Sequence, residues 1–306
     1  MKKILLITTV LTNAFILSGA HAEVLTVDAN KTVKTSASYD YFNVNKGYLL
    51  VSGNGTMLTL TDTANNSSVG AGAYLILRDK SEISLASGTS LLIEGALTAG
   101  GSPTLYGTVS ANDPNKNFFS KTKYDSAALP SASTITGNVT FNNAASTSNV
   151  QKNILIGSVL SVKTNNNEIV DKYDYDPDEY AKMVAAGTIK EYDIPALLTI
   201  TGDLTLQKSS VEFKDKSYLE VSGAVGVTGE SSLSGVINMK ATSFDVKSGG
   251  VLSLKADSVS LDAKIGVESG GVLKLAASEE DGEASVKLTQ GASNAGTFEI
   301  GDSTGK

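Results

Sequence analysis

The feature that most limits what this chain can fold into is a repeat near its C-terminal end. F-D-V-K-S-G-G-V-L-S-L at Phe244 to Leu254 returns as I-G-V-E-S-G-G-V-L-K-L at Ile265 to Leu275, 21 residues later. The same step joins Leu204, Val225, Val246, Val267 and Leu288, all aliphatic. Shorter ladders join Phe244, Ile265 and Val286, and then Leu233, Leu254 and Leu275, while Gly249, Gly270 and Gly291 recur with them. Within a copy, apolar and polar residues alternate, as in strands with one buried face, and Gly249-Gly250 interrupts the alternation with a tight bend. So short a unit cannot bury its apolar face alone. Stacked copies can, because each strand then pairs with its equivalent one level away and the equivalent aliphatics line an interior column. Burying each such side chain contributes about 1.5–3 kcal/mol, so the column holds the stack rather than any single contact. A sandwich of short strands is the competing architecture, but it has no reason to repeat at a fixed step.

The same grammar appears upstream. T-I-T-G-N-V-T-F at Thr134 to Phe141 is echoed by T-I-T-G-D-L-T-L at Thr199 to Leu206. Short alternations recur at Tyr48 to Val51, Met57 to Leu60, Tyr74 to Leu77, Ile83 to Leu85 and Leu91 to Ile93, with less even spacing. Residues 100–133 and 163–196 break the pattern and read as loops leaving the stack. The expected fold is all-β, a parallel β-helix (β-solenoid) of about 21 residues per coil and about a dozen coils. Its expected divisions are a leader over 1–22, a short N-terminal cap over 23–45, and solenoid over 46–162 with an irregular loop at 100–133. A loop and helix insertion follows over 163–196, with the helix near 177–186. Regular solenoid then fills 197–306 and stops inside a coil, as a truncated repeat would.

The N-terminus carries an export signal. Lys2 and Lys3 precede an apolar run from Ile4 to Leu17, and Ala20-His21-Ala22 supplies small residues for cleavage before Glu23. The formal charge of −7 argues against nucleic acid, whose binding rests on neutralising phosphates. Cysteine is absent, which removes disulfides, thiolate metal sites and a thiol nucleophile. His21 is the only histidine and leaves with the leader, and Arg78 is the only arginine. No imidazole then remains to move protons or to activate a serine near neutral pH.

Within the insertion, Asp174, Asp176 and Asp178 alternate, with Asp171 and Glu179 nearby, and oxygen ligands so spaced resemble the start of a calcium loop. The helix-loop-helix calcium pattern, however, needs glycine and glutamate where this chain has Glu179 and Ala185. A helix start suits these residues better, with Asp176 as cap, Pro177 in the first turn, an apolar face of Tyr180, Met183 and Val184, and Gly187 as terminator. Tyr173, Tyr175, Tyr180 and Tyr192 either pin that helix to the wall or offer a sugar- or protein-binding surface. Some parallel β-helices cleave polysaccharides, which takes two carboxylates flanking the sugar linkage. Asp176 with Asp178, or Glu279 with Asp281, are pairs in sequence only, and a calcium-dependent lyase or a hydrolase stands as the rival class.

The leader, the V-x-S-G-G-V-L-x-L units and L-R-D-K-S-E-I-S-L-A-S-G-T-S-L-L-I-E-G-A-L-T at Leu77 to Thr98 resemble the passenger regions of bacterial autotransporters and related adhesins. That resemblance is a texture spread over most of the chain. It implies a right-handed β-helix displayed outside the cell as an adhesin or structural rod, without catalysis or cofactor. Its partners would be glycans or proteins of a host or neighbouring cell. It also implies an outer-membrane anchor through a C-terminal barrel, whose ten-residue alternating strands do not appear in this sequence. A secreted protein without a barrel, such as a two-partner exoprotein or surface-layer component, is the second alternative.

Overall fold

The computed structural model describes residues 23–100, 132–142, 154–163, 168–170, 175–256, 258–276 and 285–301. Almost every element is a short strand, and the strands come in threes. Leu197–Ile200, Leu204–Gln207 and Ser210–Phe213 make one level, and Tyr218–Val221, Ala224–Val227 and Glu230–Gly235 make the next. Each strand pairs in parallel with its counterpart one level away, giving three walls around a shared interior. The third strands form a ten-stranded parallel sheet. The first and second strands form a 17-stranded sheet, because at two levels they run on as the single strands Ile237–Val246 and Ser258–Val267. The result is a nearly all-β, solenoid-like stack. Its ten described levels fall short of the dozen expected, since several N-terminal coils are longer than 21 residues and the insertions consume chain.

Alternation decides what faces inward. In the second wall Val139, Leu204, Val225, Phe244 and Ile265 are successive register partners, each at most 2% exposed. The residues between them, Thr140, Thr205, Gly226 and Asp245, point outward. A β-strand forces this division, because successive side chains leave opposite faces.

The five-residue ladder expected at a constant step is only partly a ladder. Leu204 pairs with Val225, and Val246 with Val267, 21 residues apart as expected. Between these pairs the step shortens to 19: Val225 pairs with Phe244, and Val246 with Val227. Leu288 belongs to the first wall opposite Leu261, while Val267 lies opposite Asn294 in the second. A change of two residues keeps every side chain on its own face, so coil length drifts by even steps without exposing the core. That is why a register error of two stayed hidden in the alternation. Leu204, Val225, Val246 and Val267 are all buried.

Corners are built from glycine and short polar side chains. Gly249 and Gly270 share one corner, where the Gly249 amide donates to the Gly270 carbonyl at 3.0 Å, and both have φ near +80°. Gly291 precedes a second-wall strand and so marks a different corner from the one its spacing suggested. Elsewhere side chains satisfy amides that leave the ladder: Asn138 Oδ1 accepts from the Asp203 amide at 2.9 Å, and Asp203 Oδ1 from the Ala224 amide at 2.8 Å. Buried Ser217 and Ser231 do the same for the Ala196 and Ser209 amides.

Two expected boundaries move. The stretch 23–45, expected as a cap, already carries stack strands, since Leu25–Val27 pairs with Phe42–Val44 and Lys31–Val33 with Leu49–Val51. The second insertion leaves the stack at Gly157 rather than near residue 163, because Ser158–Lys163 pairs antiparallel with Ile189–Ile194 instead of with a neighbouring level. Most of the expected loop 100–133 lies outside the described residues, as do Ala20 and Ala22 of the cleavage site. Glu23 is described, and its carbonyl accepts from the Asp40 amide at 3.2 Å.

Candidate functional site

The insertion is the one described feature that breaks the stack's geometry. Ser158–Lys163 is the middle strand of a three-stranded antiparallel sheet, flanked by Glu168–Val170 and Ile189–Ile194. Pro177–Ala185 forms the helix expected near 177–186 and packs on the last of these strands. Its start follows from local chemistry: Asp176 Oδ1 accepts from the Asp178 amide at 2.9 Å and the Glu179 amide at 3.3 Å, and Pro177 fills the first turn. Its end is closed by the Gly187 amide on the Val184 carbonyl and the Thr188 amide on the Met183 carbonyl, both at 3.0 Å.

The candidate calcium ligands divide accordingly. Asp176 spends a carboxylate oxygen on the helix cap, and Asp178 is exposed in the first turn. Asp174 lies outside the described residues, as do Asp171, Tyr173, Glu279 and Asp281. Among the described residues no three or more histidines, cysteines or acids gather as a metal site would require. Tyr180, half-buried, donates its hydroxyl to Glu191 Oε1 at 2.6 Å and so ties the helix to its sheet. Tyr175 is also half-buried.

What the sequence reading missed is the wall beside this insertion. On the third wall Leu50, Ile76, Thr98 and Leu155 are successive register partners in the outward column. They are apolar or nearly so, and Ile76 is only 1% exposed although it points away from the interior. Tyr48 and Tyr74 pair beside them. Ser158–Lys163 lies against Ala96–Gly100 of this wall, all five of whose residues are buried, and the Gly157 amide donates to the Ala99 carbonyl at 2.7 Å. The signal was present. Y-L-L-V, Y-L-I-L and I-L-I are unbroken apolar runs, the mark of strands buried on both faces. One level on, Glu212 partners Leu155, and the column turns polar through Ser234 and Lys255.

The other outward surfaces are mostly polar. In the second wall Asn43, Ser68, Leu92, Thr140 and Thr205 stand outward, and Ser68 Oγ donates to Asn43 Oδ1 at 2.7 Å. Toward the C-terminal end the first wall carries charges in column. Lys240 Nζ donates to Glu220 Oε1 at 2.8 Å, and this contact holds the ammonium pKa above its ordinary value. Asp262, the next partner in the column, accepts from the Thr289 hydroxyl and the Gln290 amide, which hold its carboxyl below the usual range. At a corner Lys247 Nζ lies 2.9 Å from Glu268 Oε1, and that bond, with the Ser248 amide, likewise lowers Glu268. These groups are paired on open surface and do not converge on a pocket.

Compared with protein-family models, with curated proteins and with solved structures, the chain finds no match. The functional reading therefore rests on the residues and their arrangement.

Proposed function

We propose that this chain is an exported bacterial surface protein, a passenger-like rod that acts as an adhesin or display scaffold without catalysing a reaction. The observation that carries this reading is the stack itself: parallel levels whose outer walls offer hydroxyl, amide and paired charged side chains in repeating columns. Such a surface suits many weak contacts in parallel, where avidity comes from repetition rather than from one deep site. The insertion at 158–194, seated beside the apolar third wall, is the recognition element of the rod, since binding residues concentrate on loops held by a rigid scaffold. The finer architecture in this reading is a right-handed parallel β-helix, because a crossover joining parallel strands of one sheet is right-handed in about 98% of cases. Export follows from the leader over 1–22, and anchoring through a barrel from the resemblance to autotransporter passengers.

The experiment is protease shaving of intact bacteria that produce the protein, paired with an adhesion assay on the same cells. Accessible protein, and adhesion reduced when residues 164–188 are replaced by a short linker, are the expected results. Protein found only inside the cell would sink the export reading. Undiminished adhesion with the insertion removed would move recognition to the walls. Release of oligosaccharides from uronate polymers by the purified chain would replace a display rod with an enzyme.

A further inference from the structure

Asn54-Gly55 is the only asparagine–glycine pair in the chain, and it sits at the apex of a corner. The corner joins Tyr48–Val51 of the third wall to Met57–Leu60 of the first. The Thr56 amide donates to the Gly53 carbonyl at 2.9 Å, closing a turn whose central residues are Asn54 and Gly55. Gly55 has φ +75°, which glycine adopts without strain, and a side chain there would meet nothing within 4 Å. Both residues are exposed. Neither the Asn54 side chain nor the Gly55 amide hydrogen-bonds to any described residue. Other asparagines are tied down. Asn43 Oδ1 accepts from Ser68, Asn66 Oδ1 from the Ser90 amide and Asn138 Oδ1 from the Asp203 amide, while Asn45 donates to Asp28. Each of these four precedes a residue that carries a side chain. The corner is also fixed to both neighbouring levels. The Thr56 hydroxyl donates to the Lys34 carbonyl at 3.1 Å, the Met57 amide to Ser36 Oγ at 3.0 Å, and the Glu82 amide to the Thr56 carbonyl at 2.8 Å.

We infer that Asn54 is a self-modification site, where the chain converts its own side-chain amide into a carboxylate. The Gly55 backbone nitrogen attacks Asn54 Cγ. A nitrogen–carbon bond forms, the bond from Cγ to the side-chain nitrogen breaks, and that nitrogen leaves as ammonia with the proton given up by the Gly55 amide. The five-membered imide then takes up one water. Opened at Cγ it yields aspartate, and opened at the main-chain carbonyl it yields isoaspartate. No oxidant or reductant enters the balance. The attack is intramolecular, so it needs only that amide and side chain be free to meet. Gly55 has no side chain to block the approach, and asparagine is among the thermolabile residues. Asn54-Gly55-Thr56 also matches the N-glycosylation acceptor pattern, but Thr56 is 5% exposed and its hydroxyl is already bonded to the Lys34 carbonyl. The new carboxylate stands on a corner between Lys34 on one neighbouring level and Lys80 on the other, both exposed, so the outer charge of the rod changes with age. The bonds from Thr56 and Met57 keep the adjoining strands in register while the apex changes.

The test incubates the purified 306-residue chain in neutral and in mildly alkaline buffer and follows each asparagine by peptide mapping. Conversion at Asn54 should outrun that at Asn45, Asn66 and Asn138, and should quicken in proportion to hydroxide because the attacking nitrogen must lose its proton. In heavy-oxygen water the product should carry one labelled oxygen, the mark of an opened imide. Asn54→Gln, whose ring needs an extra atom, should lose the conversion and keep an unchanged far-UV spectrum. Hydrogen exchange over 48–51 and 57–60 should match in converted and unconverted chains. Asn54 changing no faster than the bonded asparagines, or a product without the label, overturns the proposal. A sugar on Asn54 of the chain as made in cells overturns it in favour of the acceptor pattern. Lost protection in the two adjoining strands would overturn the claim that the change stays at the apex. None of these readouts involves a ligand or the cell surface, so they stand or fall apart from the adhesin reading.

Discussion

Replacing Phe244 by alanine tests whether the stack behaves as a one-dimensional array. Phe244 is 1% exposed and sits in the second-wall column between Val225 on one level and Ile265 on the next. Its loss removes a fully buried ring and leaves a cavity that two neighbouring levels must share. Phe→Ala changes of this kind cost about 3–5 kcal/mol. At 1.4 kcal/mol per factor of ten, protected amides in the affected levels should exchange about a hundredfold to a few thousandfold faster. In a stack where each level touches only its neighbours, the loss is confined. Hydrogen exchange read by mass spectrometry should show it over 237–255 and the flanking levels at 218–235 and 258–276. Levels at 42–51 and 57–78 should keep their rates within about twofold, the scale on which distant sites are independent. Thr205→Ala, an outward change in the same wall, should shift stability by no more than about 0.5 kcal/mol. Uniform acceleration from residue 42 to residue 276 would refute the picture, because it is the response of one globular cooperative unit.

Three further outcomes follow from particular contacts. Gly226→Cys with Asp245→Cys should form a disulfide, since these outward residues are register partners and nothing crowds Gly226, whereas Gly226→Cys with Lys247→Cys, two residues further along, should not; gel mobility under oxidation reads both. Asp176→Ala should weaken the insertion helix by about 1 kcal/mol through loss of its cap, seen as faster exchange over 177–185, and calcium should leave the melting temperature of both forms unchanged; a calcium-dependent rise lost in the variant would mean the carboxylates are ligands. Glu268 and Asp262 have carboxyl groups held below their ordinary range, so the stability they contribute is present at neutral pH and lost as pH falls below about 4; the melting temperature should drop there, and less so in Lys247→Met, which lacks the main contact lowering Glu268.

How much was legible depended on which physical rule wrote each feature. The parallel stacking followed from alternation plus repetition, and Leu204 with Val225 and Val246 with Val267 keep the expected pairing while the five residues do not form one column. The helix cap at Asp176 was legible because it is local chemistry within four residues. Register was not, since a step of 19 and a step of 21 bury the same face and differ only in which neighbour a residue meets. The departure at Gly157 was hidden because Val159, Leu160 and Val162 make Ser158–Lys163 as apolar as a stack strand, although it pairs with Ile189–Ile194. The double burial around Ile76 was written in consecutive apolar residues, but a search for alternation passes over a run that does not alternate.

These features share one physical cause. A stack needs only that inward positions stay apolar and that corners keep their amides satisfied, so coil length and outward residues are free to vary. The evenly spaced C-terminal levels keep mostly polar outer walls, with Leu197, Tyr218, Val251 and Val272 as outward exceptions. Where an outer wall turns apolar instead, as at Leu50, Ile76 and Leu155, it must be covered, and a segment of chain has to leave the stack to cover it. Ser158–Lys163 leaves one residue after the strand that carries Leu155 and lies against the adjacent level. The insertion meets this wall at Ala96–Gly100, and cover of the apolar column is the role this contact suggests. Polar replacement of the wall at Leu50 and Leu155 should loosen the insertion while leaving the interior columns in place. Faster exchange at 158–163 and 189–194, with 204–207 and 224–227 unchanged, is the pattern expected. Equal loss in all four segments would mean that the insertion is part of the core and not an element mounted on it.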